Sequence, residues 1–213
     1  MNPTLKTELI QLAKKYSHDD DPSHDFEHIL RVLRNAEIIA TKEGADLDIV
    51  IPAALFHDLV NYPKNHPKAK FSSELSAQKT GKLLRKLKNY PQYKIPSVEH
   101  AISCCSFSKK VVPNSLEGKV VQDADWLEAT GAISIMRTFA TTGIMKRPFY
   151  HLEDHFCEHR EAEPLHYAVD LFYARLLRVH ERLNTKTAKA LAKRRTAFLQ
   201  TFLEELKLEL QMK

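Results

Sequence analysis

The residues best equipped for chemistry are His57 and Asp58, which close the apolar run Ile51-Pro52-Ala53-Ala54-Leu55-Phe56. An imidazole beside a carboxylate at the end of a buried stretch needs a partner, because desolvating an unpaired charge costs several kcal/mol or more. A divalent metal satisfies both groups at once. The dipeptide alone is weak, since His18-Asp19 and His24-Asp25 repeat it in polar surroundings. The apolar helical context sets His57-Asp58 apart. Two further places can complete a ligand set. One is His28, which by itself reads as a helix histidine with a satisfied hydrogen bond. The other is the segment from Val120 to Ala129, where Asp123, Asp125 and Glu128 interrupt apolar residues. At about 100° per residue these three acids cannot share one direction, so at least one is expected to point inward, toward a metal or a cation.

His28, His57, Asp58 and either Asp123 or Asp125 fall on three separate expected helices. Two imidazoles and two carboxylates suit a divalent ion such as Mn, Mg, Fe, Ni or Zn. Such an ion acidifies a bound water and neutralises charge on a phosphoryl oxygen. Phosphoryl transfer also needs cations around the equatorial oxygens, and Arg31, Lys64 and Lys68 lie close by in sequence.

The elements that must position these groups read as helices throughout. With 43% hydrophobic residues and only five glycines in 213, the chain is long enough for one large core and its composition favours helix. The spacing predicts helices over 4–17 and 25–43, the latter stopping at Gly44. A third carries the apolar run, with Pro52 in its first turn, Asp48 as its cap and Pro63 as its end. Ser72-Ser73 caps a fourth to about residue 88, and a short one covers 97–104. A long helix spans 116–142 and ends at Gly143. Residues 144–163 are irregular, a candidate lid, before helices over 164–183 and 186–210.

The formal charge of +5 and a pI near 9.0 lean toward anionic ligands: phosphates, nucleotides or nucleic acid. The basic runs at 82–88 and 186–195 read as solvated faces. No base-reading motif or aromatic stacking array accompanies them, which argues against nucleic acid. No apolar run nears the ~18 residues of a membrane span. The chain starts into an amphipathic helix rather than a signal peptide. Three cysteines, two adjacent, make no disulfide framework, so a reducing cytoplasm is the expected setting. A homodimer is left open.

The order His28, His57-Asp58 and a later Asp matches the H…HD…D signature, and the chain resembles the HD superfamily of metal-dependent phosphohydrolases. The resemblance extends to His24-Asp25-Phe26-Glu27-His28-Ile29-Leu30-Arg31-Val32, Ala53-Ala54-Leu55-Phe56-His57-Asp58, and Asn61-Tyr62-Pro63-Lys64 with Ser72-Ser73. Ser106-Phe107-Ser108 and Leu116-Glu117-Gly118-Lys119-Val120-Val121-Gln122-Asp123-Ala124-Asp125 belong to it too. Together these are similar to small stand-alone bacterial HD hydrolases over nearly the whole chain.

The resemblance implies an all-α HD-domain helical bundle around a mono- or binuclear metal centre, with additional C-terminal helices. It implies a single domain over 1–213, with a metal-binding core at about 22–142 and C-terminal helices at about 164–211 packed on it. It implies hydrolysis of a phosphate ester or anhydride, a nucleotide being a frequent substrate. The superfamily's Ala-Asp-x-Leu context favours Asp125 over Asp123 as the last ligand, through Ala124-Asp125-Trp126-Leu127. Asp58 or Asp123 then takes the water's proton, and Arg31 and Lys64 hold the phosphate. Two residues depart from the branch pattern: Cys105 where a histidine is expected, and Trp126 where an arginine is expected. They support an alternative, an HD module that binds a nucleotide or partner in a regulatory role.

Overall fold

The computed structural model describes residues 1–17, 25–62, 66–106 and 111–211. Among them every regular element is helical and no strand occurs. The elements are α1 (Pro3–Tyr16), α2 (Phe26–Glu43), α3 (Leu47–Phe56), α4 (Ser72–Leu84) and α5 (Ile95–Ser103), then α6 (Leu116–Trp126), α7 (Gly131–Met145), α8 (Asp170–Ala174) and α9 (Lys186–Gln211). Short 3-10 turns fill several of the gaps. No helix is long and apolar enough to cross a membrane, among the residues described. The chain forms two compact units: Met1–Trp126 with Asn184–Thr187, and Leu127–Leu183 with the residues from Ala188 onward.

In the first unit, local signals set the ends of α1 and α2. Asn2 accepts from Thr4 N at 2.8 Å, Pro3 opens α1, and Leu5, Leu9 and Ala13 repeat every fourth residue along its buried face. Asp25 caps α2 by accepting from His28 N at 2.8 Å, and Gly44 closes it at φ 77°, where a side chain would be strained. α2 packs against both α3 and α6, and α3 is buried along Ile49–Phe56. An apolar helix with no polar face belongs at the centre, and α3 occupies it.

Pro52 lies inside α3, beyond its first turn, and the cap is Asp46 rather than Asp48. A proline has no N–H for the carbonyl four residues back, here that of Asp48. The buried Tyr90 hydroxyl donates to this oxygen at 2.7 Å, so the helix continues across the proline. The Asp48 carboxylate is left to pair with Lys94 at 2.7 Å. Tyr90→Phe should therefore cost about 1–2 kcal/mol by leaving that carbonyl without a partner. Thermal unfolding should show a melting point lower by roughly 2–8 °C, and an unchanged one would refute this account of the proline.

α3 also stops sooner than expected. It ends at Phe56, and His57 is its C-cap. The His57 ring takes the Ala54 carbonyl, Leu59 N donates to Phe56 O, and Ser76 bonds both Val60 N and Val60 O. Those bonds replace the helical ones, so His57-Asp58 sits in the turn just past the helix. The fourth helix begins at Ser72 and ends at Leu84, short of residue 88. Pro96 lies in the first turn of α5 instead of preceding it.

The expected helix over 116–142 is two. α6 ends at Trp126, a 3-10 turn follows, and Gly131 restarts the chain at φ 68°. Thr130 N and Oγ1 both bond Leu127 O across this break. Gly143 stays helical, and α7 runs on to Met145.

The second unit packs Val169, Phe172, Leu176, Leu199 and Leu203 as its core. A helix over 164–183 does not form, because Ala168 N and Val169 N donate to Pro148 O and Phe149 O instead of to helical acceptors. The irregular stretch is clasped by the fully buried Asp170, which accepts from Arg160 and from Glu163 N. Burial raises the Asp170 carboxyl, but Arg160, the Glu163 amide and the Cys157 thiol outweigh it and hold it below its ordinary value. A depressed carboxyl stabilises above its unfolded value of about 3.9, and that contribution is lost as pH falls through the folded value. Acid titration of stability should thus be steeper below about pH 4 in the parent than in Asp170→Asn. Superimposable profiles would refute the clasp.

Candidate metal centre

The first unit brings four predicted side chains to one place. His28, in the first turn of α2, is fully buried, and His57 is 3% exposed. His28 Nε2 lies 3.9 Å from Asp58 Oδ2 and 3.7 Å from Asp125 Oδ1. His57 Nε2 lies 3.4 Å and 3.7 Å from the same two atoms. The imidazole rings meet edge to face, with centroids 5.5 Å apart. One ligand atom each from His28, His57 and Asp125 fits within 4.8 Å of the others, a group that could hold a metal ion.

The donor set fits a divalent cation. The His57 Nδ1–H donates to Ala54 O at 2.8 Å, which aims Nε2 at the carboxylates. That Nε2 is buried without a hydrogen-bond partner among the described residues. Ligands about 2.1 Å from one ion lie about 3.0–3.4 Å from one another, close to the separations found. Burial by itself would lower the His57 imidazole, but Asp58, Asp125 and the Ala54 carbonyl overcome it and hold the group up to about 9. The same field that retains a proton attracts a metal cation.

α6 shows how five consecutive residues find separate partners. Gln122 Nε2 donates to Cys104 O and Val111 O at 2.7 and 2.8 Å, and its Oε1 accepts from Asn184. Asp123 accepts from Asn184 N, Asn184 Nδ2, Thr185 N and Thr185 Oγ1 at 2.7–2.8 Å. Ala124 O accepts from the buried Asn35. Asp125 faces the histidines. The Trp126 indole donates to Cys105 O at 3.2 Å.

Asp123 is therefore turned away from the cluster, and its oxygens are occupied by the segment that starts α9. Burial lifts its carboxyl above the ordinary value, and the four donors pull it back only in part. The expectation that an inward carboxylate requires a metal or cation does not hold here, because neutral donors suffice. Asp58 and Asp125 remain partly open, their side chains 33% and 24% exposed. Arg31 stands one turn beyond His28 on α2, half-buried. Lys64, like His18, His24, Pro63, Phe107 and Ser108, lies outside the described residues. Lys68 is exposed.

The two departures from the expected pattern touch each other. The indole of Trp126 holds the Cys105 carbonyl, and the buried Cys105 thiol lies 3.9 Å from Asp125 Oδ2. Burial, then the charges of Asp125 and Asp58, push that thiol well above its ordinary value, so it stays protonated. Ser76 and Ala54, which hold His57 and the turn after it, had no signal in the sequence. A serine mid-helix and a backbone carbonyl carry no marker of partners set by tertiary packing.

Comparison with known proteins finds relatives over most of the chain. A protein-family model described as HD domain matches residues 25–130. The uncharacterized protein YpgQ of Bacillus subtilis (strain 168) is 33% identical over 192 residues, 88% of this chain and 85% of that protein. The crystal structure of Bacillus subtilis YpgQ in complex with ADP aligns with TM-score 0.72 and 30% identity, covering 97% of this chain and 95% of that one. An HD-superfamily hydrolase from Bacillus thuringiensis aligns with TM-score 0.76 and 29% identity, covering 99% and 98%.

Proposed function

This chain belongs to the HD domain family, and from that premise we propose that it is a metal-dependent phosphohydrolase acting on a phosphate ester or anhydride, with a nucleotide as substrate. One observation carries the reading: two buried imidazoles and two carboxylates converge, with a buried His57 nitrogen left without a hydrogen bond among the described residues. The relative crystallised with ADP supports a nucleotide. His28, His57, Asp58 and Asp125 would hold the ion, with Mn, Mg, Fe, Ni and Zn all compatible with this donor set.

When bound, the ion supplies an acidified water and neutralises charge on a phosphoryl oxygen. The chain's own groups do the rest. The Ala54 carbonyl keeps His57 in the orientation that presents Nε2. Asp58 would take the proton, a role its greater exposure supports. Asp123 is not, since its oxygens are already engaged. Arg31 supplies positive charge for the phosphate from α2, with Lys64 as the second cation.

The test is metal analysis of the purified protein, paired with phosphate release from a nucleotide panel with Mn, Mg, Ni or Co added. Metal-dependent release from one substrate class is the expected result. Bound metal and nucleotide without turnover would favour the regulatory module. A protein that takes up no metal would overturn the assignment.

A further inference from the structure

Asp125 has two oxygens with different surroundings. Oδ1 faces both imidazoles at 3.7 Å, while Oδ2 lies 3.9 Å from Cys105 Sγ. A carboxylate in an open pocket can rotate, and rotation would spoil the donor set. Cys105 is in turn immobilised. Gln122 and Trp126 lie one turn apart on α6, on one face, and donate to the carbonyls of Cys104 and Cys105 at 2.7 and 3.2 Å. The thiol also lies 4.0 Å from Val121 O. It has one proton for two acceptors, and the charged carboxylate is the stronger one.

We propose that Cys105 is a positioning residue for Asp125: its thiol holds Oδ2, which keeps Oδ1 turned to His28 and His57, and the Trp126 indole keeps Cys105 in place. The inference rests on the reading of His28, His57, Asp58 and Asp125 as metal ligands. Partners of this kind typically contribute 10–100-fold in metal affinity, because they fix the orientation of the ligand they touch. The residues at 105 and 126 thereby form a matched pair, in which the indole donor serves the cysteine rather than a substrate.

Three variants separate orientation from packing. C105S keeps a donor in a smaller side chain, C105V fills the space without a donor, and C105A does neither. Mn²⁺ affinity is read by calorimetry and by fluorescence of Trp126, the single tryptophan of the chain. Co²⁺ absorption reports the ligand geometry. C105S should bind within about threefold of the parent with the same Co²⁺ bands, whereas C105V and C105A should bind roughly 10-fold more weakly or worse, with altered bands. A parent-like C105V beside a weakened C105S would assign packing and overturn the proposal. Parent-like affinity and bands in all three would overturn it as well. If C105A does not fold, the Ser–Val comparison still decides. A parent protein that binds neither Mn²⁺ nor Co²⁺ would sink the ligand assignment itself, which is a distinct result from a parent that binds and variants that match it.

Discussion

Replacing His57 by alanine should abolish metal-dependent phosphate release and weaken metal binding by more than the roughly 10–100-fold typical of losing an outer partner. His57 contributes a nitrogen 3.4 Å from Asp58 and 3.7 Å from Asp125, from a buried position at the end of α3. Thermal shift gives a readout independent of turnover. At a metal concentration near 100 times the dissociation constant, the folded parent gains about 2.7 kcal/mol, or roughly 5–10 °C for a chain of this size. His57→Ala should show no such gain. Asp125→Asn should behave alike, because it removes the charge that faces both imidazoles. Equal metal-induced shifts in parent and His57→Ala would place the ion elsewhere.

Replacing Asp123 by alanine should act on stability instead. Its carboxylate gathers two backbone amides, a side-chain amide and a hydroxyl from Asn184 and Thr185. Hydrogen bonds to a charged group are each worth about 1.5–3 kcal/mol, and stranding several donors at once should cost about 3–5 kcal/mol. That is a large share of the roughly 5–15 kcal/mol that holds a domain together. Calorimetry should show a melting point lower by on the order of 10 °C, with metal still bound at the same stoichiometry by the folded fraction. The milder Asp123→Asn should retain part of the stability and most of the turnover. A variant that melts like the parent but loses turnover would return Asp123 to the role of proton acceptor.

The contrast between Asp123 and Asp125 shows where reading the sequence stops. Two residues apart on a helix, they point about 200° apart, so one can face a site only if the other does not. The pattern called for at least one inward carboxylate in α6 but could not say which way the helix is rolled. That is decided by α2 and α3 on one side, through Asn35 to the Ala124 carbonyl, and by Asn184 and Thr185 on the other, 61 and 62 residues along the chain from Asp123.

The fold class and the helices α1 and α2 were legible, because periodicity and a terminal glycine act within a few residues. So was the order of His28, His57-Asp58 and a later aspartate, with Asp125 preferred to Asp123 only through the family resemblance. The end of α3 and the place where the 116–142 helix breaks were not. Pro52 reads as a helix start until Tyr90 is seen to take the freed Asp48 carbonyl, and Gly131 rather than Gly143 breaks the helix because only the former adopts positive φ. Sequence by itself determined the chemistry available to this protein: which atoms can ligate, and beside which helical segments they lie. Tertiary structure alone decided which of them meet, which anchor the chain instead, and that the Trp126 indole reaches the Cys105 carbonyl. Bonds between residues far apart in sequence form only once packing has brought their partners within about 3 Å, and no local pattern encodes that distance.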